Sequence, residues 1–309
     1  MRFVKMHGAG NDYVYVDGFA ERVDDPSAVA QRVVDRHTGV GADGLILVLP
    51  PDPAMDGFDT AAARMQMFNA DGSEGAMCGN GIRCVCKLVH DDGLGPRPTA
   101  SPMVLQTASG SRSLAYERDA HGKVARVTVD MGAPQFAAEA MPVVIDGVAS
   151  GDRVIDFPLG GLVPWDTDDP QGWPQRAGLD ERMTCVSMGN PHAVLFCRDL
   201  APVPLADAGR ALEGHAMFPG RANVHFVQVL AEDRARVLHW ERGSGATQAC
   251  GTGACAVAVA GAITGRTARR VVVETPGGPL DIDWRDGDQD RNRVFMTGPA
   301  VEVFRGQLS

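Results

Sequence analysis

Apolar and polar residues alternate along the first segment, RFVKM and then DYVYV, as in a half-buried strand interrupted by the turn HGAGND. Pro26 followed by apolar Val29, Val33 and Val34 predicts a helix over 26–37. LILVL at 45–49 reads as a buried strand, and ARMQMFNADG as a strand running into an Asp-Gly turn. IRCVCKLVHDDGL predicts a helix that starts at CGNG and ends near Gly93. Residues 103–106, 112–117 and 123–131 read as antiparallel strands, after which MGAP passes into a second domain. TCVSMGNPHAVLF predicts strand, turn, strand, and NVHFVQVL and RARVLHWERG are two further strands. CGTGACAVAVAGAITG is apolar all round, so it reads as a buried helix. VVVET, LDIDW, RVFMTG and AVEVF complete the strands, and the Pro-, Gly- and Asp-rich stretch 158–180 is expected to be a loop.

The pattern repeats. A strand, NADGSEGAMCGNG and a helix in the first half answer to a strand, ERGSGATQACGTG and a helix in the second. Each half therefore has one cysteine, Cys78 or Cys250, opening a CGxG turn into a helix. A duplication of this kind predicts a pseudo-twofold pair of lobes, with both helix starts facing one cleft. The expected boundaries are 1–131 with the C-terminal strand 296–309 for one lobe and 132–295 for the other.

Composition narrows the function. The chain has 309 residues and a net charge of −10, which disfavours a nucleic-acid partner. The longest apolar stretch is well short of the roughly 20 residues that cross a membrane. Seven cysteines cannot all pair within one chain, and MRFVKMHGAGND is not a secretory leader, so a cytoplasmic protein with free thiols is expected. Lys5, Lys87 and Lys123 are the only lysines, and none sits in a cofactor-binding setting.

A cysteine at a helix N-terminus meets the positive end of the helix dipole and unpaired backbone N–H groups, both of which favour thiolate. The N–H groups of Gly79, Asn80, Gly251 and Thr252 would hold a carboxylate and stabilise charge growing on it. A thiolate on one face of an α-carbon and a thiol on the other would invert its configuration without an electron-sink cofactor. A solitary buried cysteine is usually a small hydrophobe, which is the reading for Cys84, Cys86, Cys185, Cys197 and Cys255. Cys78, Cys84 and Cys86 lack the C-x₂-C spacing of a zinc site, so no metal is expected.

Seven segments, KMHGAGND (5–12), DRHTGVGADG (35–44), FNADGSEGAMCGNGIRC (68–84), VSMGNPHAV (186–194), NVHFVQV (223–229), ERGSGATQACGTGACA (241–256) and MTGPA (296–300), resemble those of the diaminopimelate epimerase family, in the family's order. The resemblance implies an α/β (α+β) fold of two pseudo-symmetric lobes, each a curled, mostly antiparallel sheet around a central helix. It implies interconversion of LL- and meso-2,6-diaminopimelate without pyridoxal phosphate or metal, in lysine and peptidoglycan biosynthesis. By position, Cys78 and Cys250 correspond to the two bases, and Gly79, Asn80, Gly251 and Thr252 to the clamp on the reacting carboxylate. Asn11, Asn69, Asn190, Asn223 and Arg242 correspond to substrate readers, chiefly of the distal amino-acid end. Glu241 and His192 correspond to supporting groups that orient the substrate ammonium and tune the thiols. The implied partner is the small-molecule substrate, and a homodimer is left open.

The chain departs from the family's pattern in places. Gly44 stands where some members have a substrate-touching Gln, Thr252 where Ser is common, and His225 where Asn is common. The loops 50–63 and 150–182 are longer than is typical. His7 and His37, in Gly-rich turns, read as structural. The alternative is a proline or hydroxyproline racemase or epimerase of the same fold, whose small cyclic substrates would leave Arg242 and the asparagines without a task. A phenazine-type isomerase lacks the cysteine pair, and an inactive binding protein would have no need to keep it.

Overall fold

The computed structural model describes residues 1–95, 100–163, 165, 172–287 and 290–308. It is a mixed α/β protein, mostly sheet with few helices. The chain divides into two compact units, Met1–Asp130 with Thr297–Ser309, and Met131–Met296.

The first unit contains β1 (Arg2–Gly8), β2 (Asn11–Asp17), α1 (Pro26–Val33), β3 (Gly44–Leu49), β4 (Ala61–Asn69), β5 (Glu74–Gly75), α2 (Gly79–Asp92), β6 (Met103–Gln106), β7 (Arg112–Arg118) and β8 (Val124–Asp130). β1 and β2 are antiparallel across a turn in which Ala9 and Gly10 take φ of 54° and 81°. β2–β3 is parallel, β3–β4 and β4–β5 antiparallel, β4–β6 parallel, and β6–β7 and β7–β8 antiparallel. α2 packs on these strands through Ile82, Val85 and Val89, none of which has exposed surface. It stops at Gly93, whose left-handed φ of 64° suits a residue without a β-carbon. α1 is capped by Asp25, whose carboxylate accepts the Ala28 N–H at 3.0 Å. It ends at Val33 rather than the expected residue 37. The Asp35 carboxylate takes the N–H groups of His37 and Thr38 at 2.8 and 2.6 Å, which turns the chain out of the helix.

The second unit contains β9 (Phe157–Pro158), α3 (Trp173–Ala177), β10 (Leu179–Ser187), β11 (Pro191–Cys197), α4 (Leu205–Glu213), β12 (Asn223–Ala231), β13 (Arg234–Glu241), β14 (Gly245–Thr247), α5 (Gly251–Ile263), β15 (Arg270–Thr275) and β16 (Gly278–Arg285). Its order of pairings repeats that of the first. β10–β11 is antiparallel, β11–β12 parallel, β12–β13 and β13–β14 antiparallel, β13–β15 parallel and β15–β16 antiparallel. α5, buried along almost its whole length, occupies the place of α2. α4, which the hydrophobic pattern did not announce, occupies the place of α1. β17 (Arg293–Pro299) returns the chain to the first unit, where β18 (Val301–Gln307) pairs antiparallel with β1.

Segment 50–63 is pinned by the buried Gln106 side chain. Gln106 accepts the Asp52 N–H at 2.7 Å and donates to the carbonyls of Asp52, Met55 and Asp56. Segment 150–182 contains β9, α3 and the first residues of β10, so the stretch 158–180 expected to be a loop is interrupted by a short helix and a strand start, and its residues 164 and 166–171 lie outside the described residues. Among the described residues no helix is long and apolar enough to cross a membrane.

Candidate active site

In the first unit the site grows from the start of α2. Cys78 is the N-cap, extended at φ −128° and ψ 120°, and its sulfur accepts the Gly81 N–H at 3.4 Å. The Ile82 N–H goes to the Cys78 carbonyl, so the intrahelical ladder begins there. The N–H groups of Gly79 and Asn80 precede that ladder and have no partner inside the helix. Cys78 is half-buried, and its thiol donates to Asn11 Oδ1 at 3.4 Å. The same oxygen accepts from the Asn80 carboxamide at 3.4 Å. Asn11 is held in that orientation because its own NH₂ group donates to Asp43 Oδ2 at 2.7 Å.

A layer of charges sits behind Asn11. Arg36 bonds both Asp12 and Asp43, and Lys5 bridges Asp12 and the Gly41 carbonyl. Burial works against the Asp12 carboxylate, but Arg36 and Lys5 outweigh it and hold Asp12 below the usual range. Asp43 is pushed up by burial and by the neighbouring Asp12 charge. Buried Tyr13, one pleat beyond Asn11 on β2, lies beside Cys78 and Asn11. Burial, then the proximity of Cys78, raises its hydroxyl well above the ordinary tyrosine value, so it remains a donor. Arg83, without exposed surface, donates to the Asn80 side chain and to the carbonyls of Gly79 and Pro299. Asn69 ends β4, exposed, with its carboxamide donating to Ser73 Oγ at 3.0 Å.

In the second unit Cys250 caps α5 in the same way, at φ −118° and ψ 109°, with its sulfur accepting the Gly253 N–H at 3.3 Å. The Ala254 N–H bonds the Cys250 carbonyl, which leaves the N–H groups of Gly251 and Thr252 ahead of the ladder. The Thr252 hydroxyl lies 3.6 Å from the sulfur. Cys250 is 4% exposed. Burial first, and the hydrogen-bonded Glu241 carboxylate second, raise its thiol well above the ordinary value. Glu241 is steadied by the Thr247 hydroxyl at 2.6 Å. Asn223 is buried and bridges two turns, donating to the Pro191 carbonyl and accepting the Arg242 N–H. The Arg242 guanidinium is exposed and donates to the Gly220 carbonyl. Asn190, half-buried, places its Oδ1 2.8 Å from His192 Nε2, and His192 Nδ1 is 2.8 Å from His225 Nε2. Both His192 ring nitrogens thus have partners within the second unit.

The first unit therefore gathers Asn11, Cys78, Gly79 and Asn80, and keeps Asn69 at the end of β4. The second gathers Glu241, Cys250, Gly251 and Thr252, with Asn223 tied to Arg242 and Asn190 to His192. Tyr13 and Asp43 were not anticipated. Tyr13 had a signal, since the two-residue period of β2 puts it two positions from Asn11. The five remaining cysteines are buried. Burial pushes Cys84 to about 11 and Cys86 and Cys197 to about 12. Among the described residues no three or more His, Cys, Asp or Glu side chains are grouped to hold a metal ion.

Comparison with known proteins finds relatives over the whole chain. A family described as diaminopimelate epimerase covers residues 3–137 and 184–303. Diaminopimelate epimerase of Moorella thermoacetica is 45% identical over 100% of this chain and 99% of its own. The enzyme of the same name from Methanococcus maripaludis is 40% identical over 100% and 99%. Among solved structures, a phenazine biosynthesis protein from Bacillus anthracis superposes with a TM-score of 0.68 at 14% identity, over 100% of this chain and 99% of that one. A hydroxyproline epimerase from Agrobacterium vitis superposes at 0.62 and 16% identity, over 99% and 91%. At such identities these two structures establish a shared fold alone.

Proposed function

The chain belongs to the diaminopimelate epimerase family, and from that membership we propose that it interconverts LL- and meso-2,6-diaminopimelate by two-base proton transfer between Cys78 and Cys250. The observation that carries the reading is the duplicated cap: two cysteines, one per unit, each opening the long helix of a similarly connected fold with its sulfur on a first-turn N–H. One cysteine, as thiolate, removes the substrate α-proton. The other, as thiol, delivers a proton to the opposite face, and the configuration inverts. Burial and Glu241 favour the thiol form of Cys250, which suits it to act as the acid in one direction with Cys78 as base, and the roles exchange in the reverse direction. The N–H groups of Gly79, Asn80, Gly251 and Thr252 receive the α-carboxylate and offset the charge that builds as the α-proton leaves. Asn11, Asn69, Asn190, Asn223 and Arg242 read the remaining polar groups of the substrate, with Arg242 suited to its distal carboxylate.

Neither pyridoxal phosphate nor metal enters this scheme. Each lysine is already engaged in the fold: Lys5 with Asp12, Lys87 with Asp91 and the Val124 carbonyl, Lys123 with the Asp91 carbonyl. A chemistry that needs both thiols reduced suits a cytoplasmic protein supplying lysine and peptidoglycan synthesis. The test is turnover of LL-diaminopimelate in D₂O. Meso product carrying one solvent deuterium at the inverted carbon is expected. Meso product without label would exclude the two-base scheme, and racemisation of proline with no action on diaminopimelate would select the alternative substrate class.

A further inference from the structure

Three imidazoles on adjacent strands connect Asn190 to the interior of the second unit. His192 on β11, His225 on β12 and His239 on β13 have no exposed surface. The contacts run from Asn190 Oδ1 to His192 Nε2 at 2.8 Å, from His192 Nδ1 to His225 Nε2 at 2.8 Å, and from His225 Nδ1 to His239 Nδ1 at 2.9 Å. Strand register builds the chain, since His225 lies directly opposite His239 in the β12–β13 pair. The far end, His239 Nε2, is buried with no hydrogen-bond partner among the described residues. Burial first, and then neighbouring imidazoles in the case of His192 and His225, hold the rings below the ordinary histidine value, His192 and His239 at about 3. All three are therefore neutral at pH 7.

Neutrality makes the proton positions countable. A neutral imidazole has one N–H and one bare nitrogen, and a carboxamide oxygen only accepts. The contact with Asn190 Oδ1 requires the proton on His192 Nε2, so His192 Nδ1 is bare. His225 must then donate from Nε2 and accept at Nδ1, and His239 must donate from Nδ1. The chain ends on a bare His239 Nε2. Running every bond the other way would turn the Asn190 NH₂ toward His192 and end the chain on a buried N–H without an acceptor, the less tolerated of the two orphans.

We propose that His192, His225 and His239 are positioning residues that fix the polarity of the Asn190 carboxamide, with its oxygen on His192 and its NH₂ group kept as a donor for a substrate carboxylate. The proposal rests on the reading above that Asn190 contacts the substrate. It gives His192 a task that differs from orienting an ammonium or tuning a thiol, because it acts through Asn190. It also gives His225, at a position where Asn is common in the family, a reason to be histidine: an imidazole relays polarity between two partners on opposite sides of its ring.

Two measurements test this. In ¹⁵N-histidine-labelled, ligand-free protein at pH 7, long-range ¹H–¹⁵N spectra should show Nε2–H tautomers for His192 and His225 and an Nδ1–H tautomer for His239. An imidazolium, or the opposite tautomers, overturns the proposal. In kinetics with diaminopimelate, Asn190→Asp keeps the acceptor for His192 but puts a second acceptor against the substrate. KM should rise on the order of tenfold or more with kcat little changed. An unchanged or lower KM overturns the donor role. His192→Gln, which retains an N–H for Asn190 Oδ1, should keep KM closer to the parent than His192→Leu, and equal damage from both would count against positioning. Should the parent protein leave diaminopimelate unchanged, the functional reading falls, while the tautomer pattern still judges the chain itself.

Discussion

Cys78 and Cys250 share a backbone conformation and a capping bond, yet their surroundings differ. Cys78 is half-buried beside Asn11 and Tyr13, whereas Cys250 is enclosed and faces the Glu241 carboxylate. A thiol reacts as thiolate, so exposure and charge should separate the two. Limited alkylation of the native protein at pH 7.5 is expected to modify Cys78 first and to spare Cys250 and the five core cysteines. Glu241→Gln removes the charge that raises Cys250 and should speed its alkylation. Peptide mapping that found Cys250 modified as fast as Cys78 would contradict this assignment. Cys78→Ala and Cys250→Ala should each lower turnover by a factor of about 10² to 10⁴ or more, the range attached to a positioned acid or base. The two cysteines were legible in sequence because glycine-rich turns mark them twice. Asp43 was not, because it reaches Asn11 only when β2 and β3 pair in parallel and bring position 43 beside position 12.

At the level of elements, each helix start must fit a glycine under the capping sulfur, and the two fits differ. A β-carbon on Gly81 would meet the tip of Ile46 at 2.7 Å and of Met65 at 3.2 Å, both ends of flexible chains. A β-carbon on Gly253 would meet the His225 ring at 2.6 and 2.9 Å, a flat group held at both nitrogens. Gly253→Ala should therefore cost more than Gly81→Ala, about 1–3 kcal/mol against less than that, the usual range for forced overpacking. Chemical denaturation of both variants checks it, and equal losses would mean that the His225 ring is free to shift. Periodicity found most strands and both long helices, because their apolar patterns are strong. It overran α1, where the side chain of Asp35 competes for backbone N–H groups, and it missed α4. The histidine chain escaped it altogether, since residues 192, 225 and 239 become neighbours only through strand register.

For the whole molecule, the buried titratable groups set the pH range in which the fold is stable. His192, His225 and His239 have folded values far below the ordinary 6.5, so between about 6.5 and about 3 the unfolded chain binds more protons than the native one. Stability from this source is complete above 6.5 and is lost as pH falls through that window. The thiols of Cys84, Cys86 and Cys197 are raised from 9.0 to about 11 or 12, so above about 9 it is the native state that holds more protons. Stability from this source is complete below 9 and is lost as pH rises toward 11–12. Each proton of difference changes stability by about 1.4 kcal/mol per pH unit. Urea unfolding at pH 4.5, 7.5 and 10.5 should therefore give the largest free energy at 7.5 and a decline on both sides. The limbs have separate origins: the alkaline one draws on thiols in both units, the acid one on the histidine trio of the second unit together with carboxylates held low by their partners, Asp12 and Asp91 among them. Cys86→Ala should flatten the alkaline limb and leave the slope of the acid limb alone. A free energy independent of pH between 7.5 and 10.5, or an alkaline slope untouched by Cys86→Ala, would show that these thiols ionise as easily in the folded protein as in the unfolded chain.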